Sequence, residues 1–279
     1  MQLGNRHVTG FTLIEIAIVL LVVSLLLSAI LVPLGGAFEE SQRRGARAQV
    51  DEVIDAIIGF AIARSRLPCP ATGASDGAEV IEDSSTGECE VSHGFVPVAT
   101  LGLVGELNAD GLLLDTWNNP LRYSVTSVQA TTDVDGDGVD DDIFVFTFTS
   151  GMQIVRIQNL TPDLVICTSA TTDPACPDNG DDNTPRANQI PAVVFSMGKD
   201  WNQYDGADQR ANAGEGEAGD DFIILEGGNT GTEYPIAGNE VFVAKGFTQV
   251  EGAEKFDDII TWLPENILYT RMIQAGVLP

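Results

Sequence analysis

From Ile16 to Phe38 no charged residue interrupts a run of Ile, Leu, Val and Ala. A helix of about 20 apolar residues crosses a bilayer, so this run predicts one membrane-spanning helix. Past Phe38 the pattern turns periodic. Val50, Val53, Ile54, Ile57, Phe60 and Ala61 recur at three- and four-residue spacing, while Glu39, Glu40, Arg43, Arg44, Asp51 and Glu52 take the other faces. That spacing predicts that the same helix continues with one apolar stripe packed on a globular head. Leu67-Pro68 stops it, because the residue before a proline is pushed out of helical geometry. A helix over 11–66 is about 80 Å long, with Pro33, Gly35, Gly36 and Gly45 as points where it kinks or unwinds.

The rest of the chain reads as short strands between acidic loops. Leu121–Val125, Ile143–Thr149, Gln153–Ile157, Leu164–Ile166, Ala192–Phe195, Phe222–Leu225, Val241–Val243 and Asp257–Trp262 are rich in β-branched or aromatic residues and bounded by turn formers. Pro264–Ala275 reads as a short closing helix stopped by Gly276. Trp262 and Tyr269 are assigned to the core. The pattern is α+β: a long N-terminal helix, membrane-spanning in its first half, packed on an antiparallel β head.

Charge then narrows the partners. The chain carries 41 acidic against 14 basic residues, a formal net charge of −27, which opposes binding to nucleic acid or anionic lipid. Only two histidines, His7 and His93, are present, a poor basis for a histidine metal centre or a Ser-His-Asp site. Cys69, Cys89, Cys167 and Cys176 are even in number, show no C-x-x-C spacing and sit among Gly, Pro, Thr and Asp. This suits disulfides in an oxidising compartment. Three pairings are open; Cys69–Cys89 with Cys167–Cys176 is chosen because each pair closes a local loop. The head is therefore expected in the periplasm or outside the cell.

Glu15 is the anomaly, a carboxylate at the head of the apolar run. Ahead of it Met1–Gly10 is polar, has no acid and carries Arg6, and the stretch Gly10-Phe11-Thr12-Leu13-Ile14-Glu15 leads into the apolar residues. This resembles the class III signal of type IV pilins and of the pseudopilins of type II secretion. The resemblance implies a leader over 1–10, cleavage between Gly10 and Phe11 by prepilin peptidase, and N-methylation of Phe11. It also implies a role for Glu15. The new α-amine stays cationic, and an unpaired carboxylate among apolar helices is costly while a paired one is much less so. The amine of an incoming subunit meeting Glu15 of a neighbour therefore favours one docking register. Within the head, over 67–279, Asp115-Thr116-Trp117-Asn118-Asn119-Pro120-Leu121-Arg122-Tyr123 resembles the pseudopilin D-P-W-G-x-P-Y-x-Y turn, with Thr116 and Asn118 departing from it. Ser196-Met197-Gly198-Lys199-Asp200, with Asp220-Asp221 further along, is similar to the pseudopilin S-x-G-x-D loop and its later D-D-I.

Two acidic loops are candidates for Ca2+. In Asp133-Val134-Asp135-Gly136-Asp137-Gly138-Val139-Asp140-Asp141-Asp142, carboxylates stand at positions one, three and five with Gly at six. That order wraps a hard cation, with the Val139 carbonyl and Asp141 as further ligands. Position twelve is Phe144, not Glu, so the expected site is a hairpin loop and not an EF-hand; a solvated acidic turn is the alternative. The second loop is implied by the resemblance: in major pseudopilins it binds calcium, and the matching positions are Asp200 with Asp220 or Asp221 and the Ser196 carbonyl.

The expected function is structural, with no catalytic residues: a subunit, minor or specialised, of a type IV pilus or a secretion pseudopilus. Its expected partners are prepilin peptidase, other pilin or pseudopilin subunits and the inner-membrane assembly platform. It is expected as a single-pass inner-membrane protein with a periplasmic head, passing into the filament. The alternatives are a membrane-anchored periplasmic calcium-binding hydrolase and a ligand-binding adhesin head.

Overall fold

The computed structural model describes residues 12–155, 157–168, 186–199, 212, 241–248 and 256–278. The chain divides into two compact units, Met1–Arg44 and Gly45–Pro279. Helix α1 covers Leu13–Arg64 and stays helical through Pro33, Gly35, Gly36 and Gly45, where the sequence predicts a kink or unwinding. It ends where Ser65 turns to a positive φ of 58°, just ahead of Leu67-Pro68.

The membrane-spanning half of the expected fold is corrected. Among the described residues no helix is long and apolar enough to cross a membrane.

In the second unit the helical stripe is buried as its spacing requires: Val50, Ile57 and Ala61 are 0% exposed. Phe60 lies at the edge, its ring under the Arg66 guanidinium at 5.0 Å. The stripe packs on a four-stranded antiparallel sheet. Its strands are β3 (His93–Phe95), β4 (Arg122–Val125), β9 (Ala192–Ser196) and β11 (Ile259–Leu263), in the order β11-β9-β4-β3. Tyr123 and Val125 of β4 with Ala192 and Val194 of β9 face the helix, and Leu268 and Met272 of α4 (Glu265–Gln274) close that core. The Tyr123 hydroxyl donates to the Pro68 carbonyl at 2.9 Å, tying the sheet to the end of α1.

The alternate residues of the same strands, Val193, Phe195 and Ile260, face a second core. That core is built with β7 (Leu164–Cys167), β8 (Ala187–Ile190) and β10 (Val241–Val243), ordered β10-β7-β8. A strand buried on both faces has no reason to alternate, which explains the unbroken apolar run Ala192-Val193-Val194-Phe195. The head is not purely antiparallel, since β10 pairs with β7 in parallel. Two hairpins complete it, β1 (Ile81–Asp83) with β2 (Glu88–Cys89) and β5 (Gln129–Thr132) with β6 (Asp141–Phe144).

Two expected strands are otherwise. Ile143–Thr149 is strand only to Phe144, and within Gln153–Ile157 the chain is helical to Ile154, in α3 (Gly151–Ile154), the third helix after α2 (Val98–Leu101). Short apolar runs do not separate strand from helix by periodicity. Here Gly151 decides, because a Cβ there would stand 2.3 Å from the Val145 carbonyl oxygen, so the chain doubles back closely at that point. The expected strand Phe222–Leu225 lies outside the described residues.

Candidate functional site

Three groups of residues carry the chemistry expected from the sequence. Gly10 and Phe11, the expected processing site, lie outside the described residues. Glu15 is described and exposed, in the first turn of α1. The Thr12 amide and hydroxyl both donate to Glu15 Oε2 at 3.5 Å, and the Glu15 amide donates to Thr12 Oγ1 at 3.4 Å. This is a capping box, in which Thr12 and the residue three places on satisfy each other's free amides. Thr12-Leu13-Ile14-Glu15 has that T-x-x-E spacing, so the cap has a sequence signal of its own beside the pilin resemblance. Glu15 therefore has a local role in starting the helix besides any role between subunits. Behind it the apolar side chains stand open, Leu13 at 90%, Ile14 at 68% and Leu20 at 63% exposure.

The acidic loop joins β5 to β6. Asp133 organises it: its Oδ1 accepts from the Gly136 amide at 2.7 Å and its Oδ2 from the Gly138 amide at 3.0 Å. Asp135 Oδ1 accepts from the Asp137 amide at 3.1 Å, and Asp141 Oδ2 from the Val134 amide at 3.2 Å. Gly136 and Gly138 turn at φ of 79° and 87°, values that L side chains rarely adopt. One carboxylate oxygen from each of Asp133, Asp135 and Asp141 lies within 4.8 Å of the others. Asp137 is not in that group; its Oδ1 closes its own turn by accepting from the Val139 amide at 2.7 Å. Val139 is 64% exposed at the tip. Three converging carboxylates suit a hard cation taking oxygen ligands, with water completing its shell.

The third group forms around Ser196, which is fully buried. Its hydroxyl donates to Asp115 Oδ2 at 2.5 Å and accepts from the Gly198 amide at 3.1 Å. Asp115 Oδ1 accepts from the Trp117 and Asn119 amides at 2.8 and 2.9 Å. Asn119 Nδ2 returns a bond to the Gly198 carbonyl at 2.6 Å. Asp257 closes the other side, its Oδ2 accepting from the Lys199 amide at 2.8 Å. A Cβ on Gly198, where φ is 71°, would stand 2.5 Å from the Asp257 carboxylate. Burial pushes the Asp115 carboxyl above its usual range and the Asp257 charge adds to this, while the bonds from Ser196, Asn119 and Trp117 pull it back.

The two segments that resemble pseudopilin motifs meet in space, the turn at Asp115–Pro120 against the turn at Ser196–Lys199. The carboxylate beside Gly198 is Asp257, at the head of Asp257-Asp258-Ile259, whereas Asp220-Asp221 is followed by Phe222; Asp200, Asp220 and Asp221 lie outside the described residues. The neighbouring Asp258 carboxylate is held by Asn212 Nδ2 at 2.7 Å. Asp257-Asp258-Ile259 is visible in the sequence, where its pattern speaks only for the start of a strand. Cys69 and Cys89 form a disulfide with Cα atoms 5.4 Å apart. Cys167 is also disulfide-bonded, and Cys176 lies outside the described residues.

Compared with known proteins, the chain matches no family model, no curated protein and no solved structure.

Proposed function

We propose that the chain is a structural subunit of a filament of the type IV pilus or type II secretion pseudopilus kind, cut between Gly10 and Phe11 by prepilin peptidase and assembled through α1. The observation that carries this reading is the first turn of α1 together with the apolar surface behind it. That helical surface stands exposed from Leu13 to Leu26, headed by one carboxylate, Glu15. A large exposed apolar surface marks a place where partners bind, and helices of neighbouring copies are the partners that cover a long apolar stripe. Glu15 then pairs with the methylated amine of the next subunit's Phe11, selecting one register among many apolar ones. The inner-membrane assembly platform supplies the subunits, and the head faces the periplasm or the exterior.

Intact mass from cells with and without prepilin peptidase tests the processing step. The expected mature chain begins at methylated Phe11; an uncut chain in peptidase-positive cells overturns the reading. Glu15→Gln separates the two roles of Glu15, because Gln serves a capping box as Glu does but carries no charge. Glu15→Gln is expected to be cut normally and to incorporate into filaments several-fold less than the wild type. Equal incorporation removes the pairing argument.

Calcium belongs to the same reading, held by Asp133, Asp135 and Asp141 and setting the shape of the β5–β6 hairpin. An ion that binds only the folded chain stabilises it by about 2.7 kcal/mol at a hundredfold excess over Kd. Calcium is therefore expected to raise Tm and chelator to lower it. Asp135→Ala with Asp141→Ala is expected to abolish the response, and Asp137→Ala to keep it. A stripped protein showing neither calcium heat nor a Tm shift leaves a solvated acidic turn.

A further inference from the structure

Strand β11 is an edge of the four-stranded sheet, and its outward side follows from the ladder. In an antiparallel ladder successive residues turn their amide and carbonyl to opposite sides. The Thr126 amide donates to the Pro191 carbonyl at 3.0 Å, in step with the pairs Val125↔Ala192 and Ser124↔Val193. Pro191, Val193 and Phe195 therefore turn toward β4, and Ala192, Val194 and Ser196 turn toward β11. Their partners on β11 are Leu263, Thr261 and Ile259. Ile260 and Trp262 turn the other way, outward.

Among the described residues, the main chain of Ile260 and Trp262 has no hydrogen-bond partner on that side. With Thr261 they line a cavity of about 480 Å³. Thr261 belongs to the α1 side of the sheet, where its hydroxyl donates to Asp51 at 3.1 Å, and Ile260 and Trp262 belong to the other. The cavity therefore meets the strand along its edge. Its lining carries both signs of charge, in Arg47, Arg186, Lys245 and Asp258, so charge selects no occupant. The row of outward main-chain groups does, because it is a template on which another strand adds. Natural edges carry a charge, a proline or a bulge against such pairing. Ile259-Ile260-Thr261-Trp262-Leu263 carries none of them, and its register with β9 is unbroken.

We infer that β11 pairs antiparallel with β11 of a second copy of the chain, about a twofold axis at Ile260, joining two four-stranded sheets into one of eight. A second copy is the occupant the edge itself specifies, since an uncharged strand turned end for end is complementary to itself. The register follows from the flanking residues. Centred on Asp258, the pairing sets that carboxylate opposite its own copy, and like charges directly opposite are destabilising. Centred on Trp262, it sets Ile260 opposite Pro264, which has no N–H to give. Centred on Ile260 it avoids both: Ile260 meets Ile260, and Trp262 meets Asp258. The next outward pair would be Pro264 with Phe256, whose amide and carbonyl are already bonded to Thr248 at 3.1 and 2.9 Å, so the pairing ends there. Copies carrying −27 each repel at long range, and the contact is uncharged, so pairing strengthens as salt screens the repulsion. A twofold contact closes after two copies; the inference therefore does not rest on the filament reading.

The test is residue-resolved amide hydrogen exchange of the full chain in detergent, across a dilution series whose association is followed by sedimentation. The Ile260 and Trp262 amides are expected to exchange at least roughly tenfold more slowly in pairs than in single copies, because only the second copy covers them. The Thr261 and Leu263 amides, bonded to β9, are expected to exchange alike in both. Trp262→Glu sets a carboxylate opposite Asp258 of the other copy. It is expected to return the Ile260 amide to the fast rate at every concentration while Thr261 stays slow, which shows that the sheet is intact. Association through another surface leaves the two outward amides fast. Single copies at every concentration, association that leaves the Ile260 and Trp262 amides fast, or amides already slow in single copies each overturn the pairing. The wild-type series decides this even where Trp262→Glu disturbs the fold.

Discussion

Replacing His93 by Gln should flatten the acid sensitivity of this protein by an amount the structure sets. His93 stands on β3, 8% exposed, its ring 5.9 Å from that of Phe242. Burial strips water from the imidazolium and the Arg122 guanidinium repels it, so the pKa is lowered from 6.5 to about 4. The native protein then refuses a proton that the unfolded chain accepts. The contribution to stability is whole above pH 6.5 and is lost as the pH falls toward the native value. Each unit costs about 1.4 kcal/mol, so the loss reaches about 2 kcal/mol at pH 5 and about 3 kcal/mol near pH 4. Asp115 acts in the opposite direction: its raised pKa means that protonation favours the native state, and the stability it provides is lost as the pH rises. Both proteins carry Asp115, so subtracting the variant from the wild type isolates His93. Urea unfolding of the intact chain from pH 7.5 to 5 measures the difference, and the wild type is expected to lose about 2 kcal/mol more than His93→Gln. Parallel profiles would mean that His93 is protonated inside the fold, and the burial argument would fail.

Cys69 and Cys89 are 20 residues apart, and a cross-link of that span stabilises by roughly 3 kcal/mol in the chain-entropy model; Cys69→Ser with Cys89→Ser is expected to lower Tm by several degrees in calorimetry, and an unchanged Tm refutes the estimate. Gly198→Ala forces a side chain into a left-handed turn and against the Asp257 carboxylate, so a loss of about 1–3 kcal/mol is expected. Denaturation at neutral pH checks it, and a loss below about 0.5 kcal/mol would show that the turn moves away cheaply.

Much of the molecule is legible in the sequence because it depends on near neighbours. The stripe Val50, Val53, Ile54, Ile57 and Ala61 repeats at the pitch of a helix and is buried along that line. The loop from Asp133 to Asp142 carries its own turn chemistry, with side chains bonding amides two to seven residues away, so its hairpin and its converging carboxylates arise from the local sequence. Its membership does not: Asp135 and Asp137 each accept from the amide two residues on, yet only Asp135 joins Asp133 and Asp141 in the converging group, and no spacing rule distinguishes the two.

Tertiary structure decided the rest. Ser196 and Asp115 are 81 residues apart and Lys199 and Asp257 are 58 apart, and their meeting depends on how β4, β9 and β11 pair, which no local pattern encodes. The parallel pairing of β10 with β7 and the helical turn at Gly151 are settled in the same way, by what already occupies the neighbouring space. Sequence by itself specifies what each short segment prefers, because those preferences come from its own backbone and adjacent side chains. Which distant segments share a boundary is chosen by the packing of the whole core, where a contact forms only if every strand and helix around it is already in place.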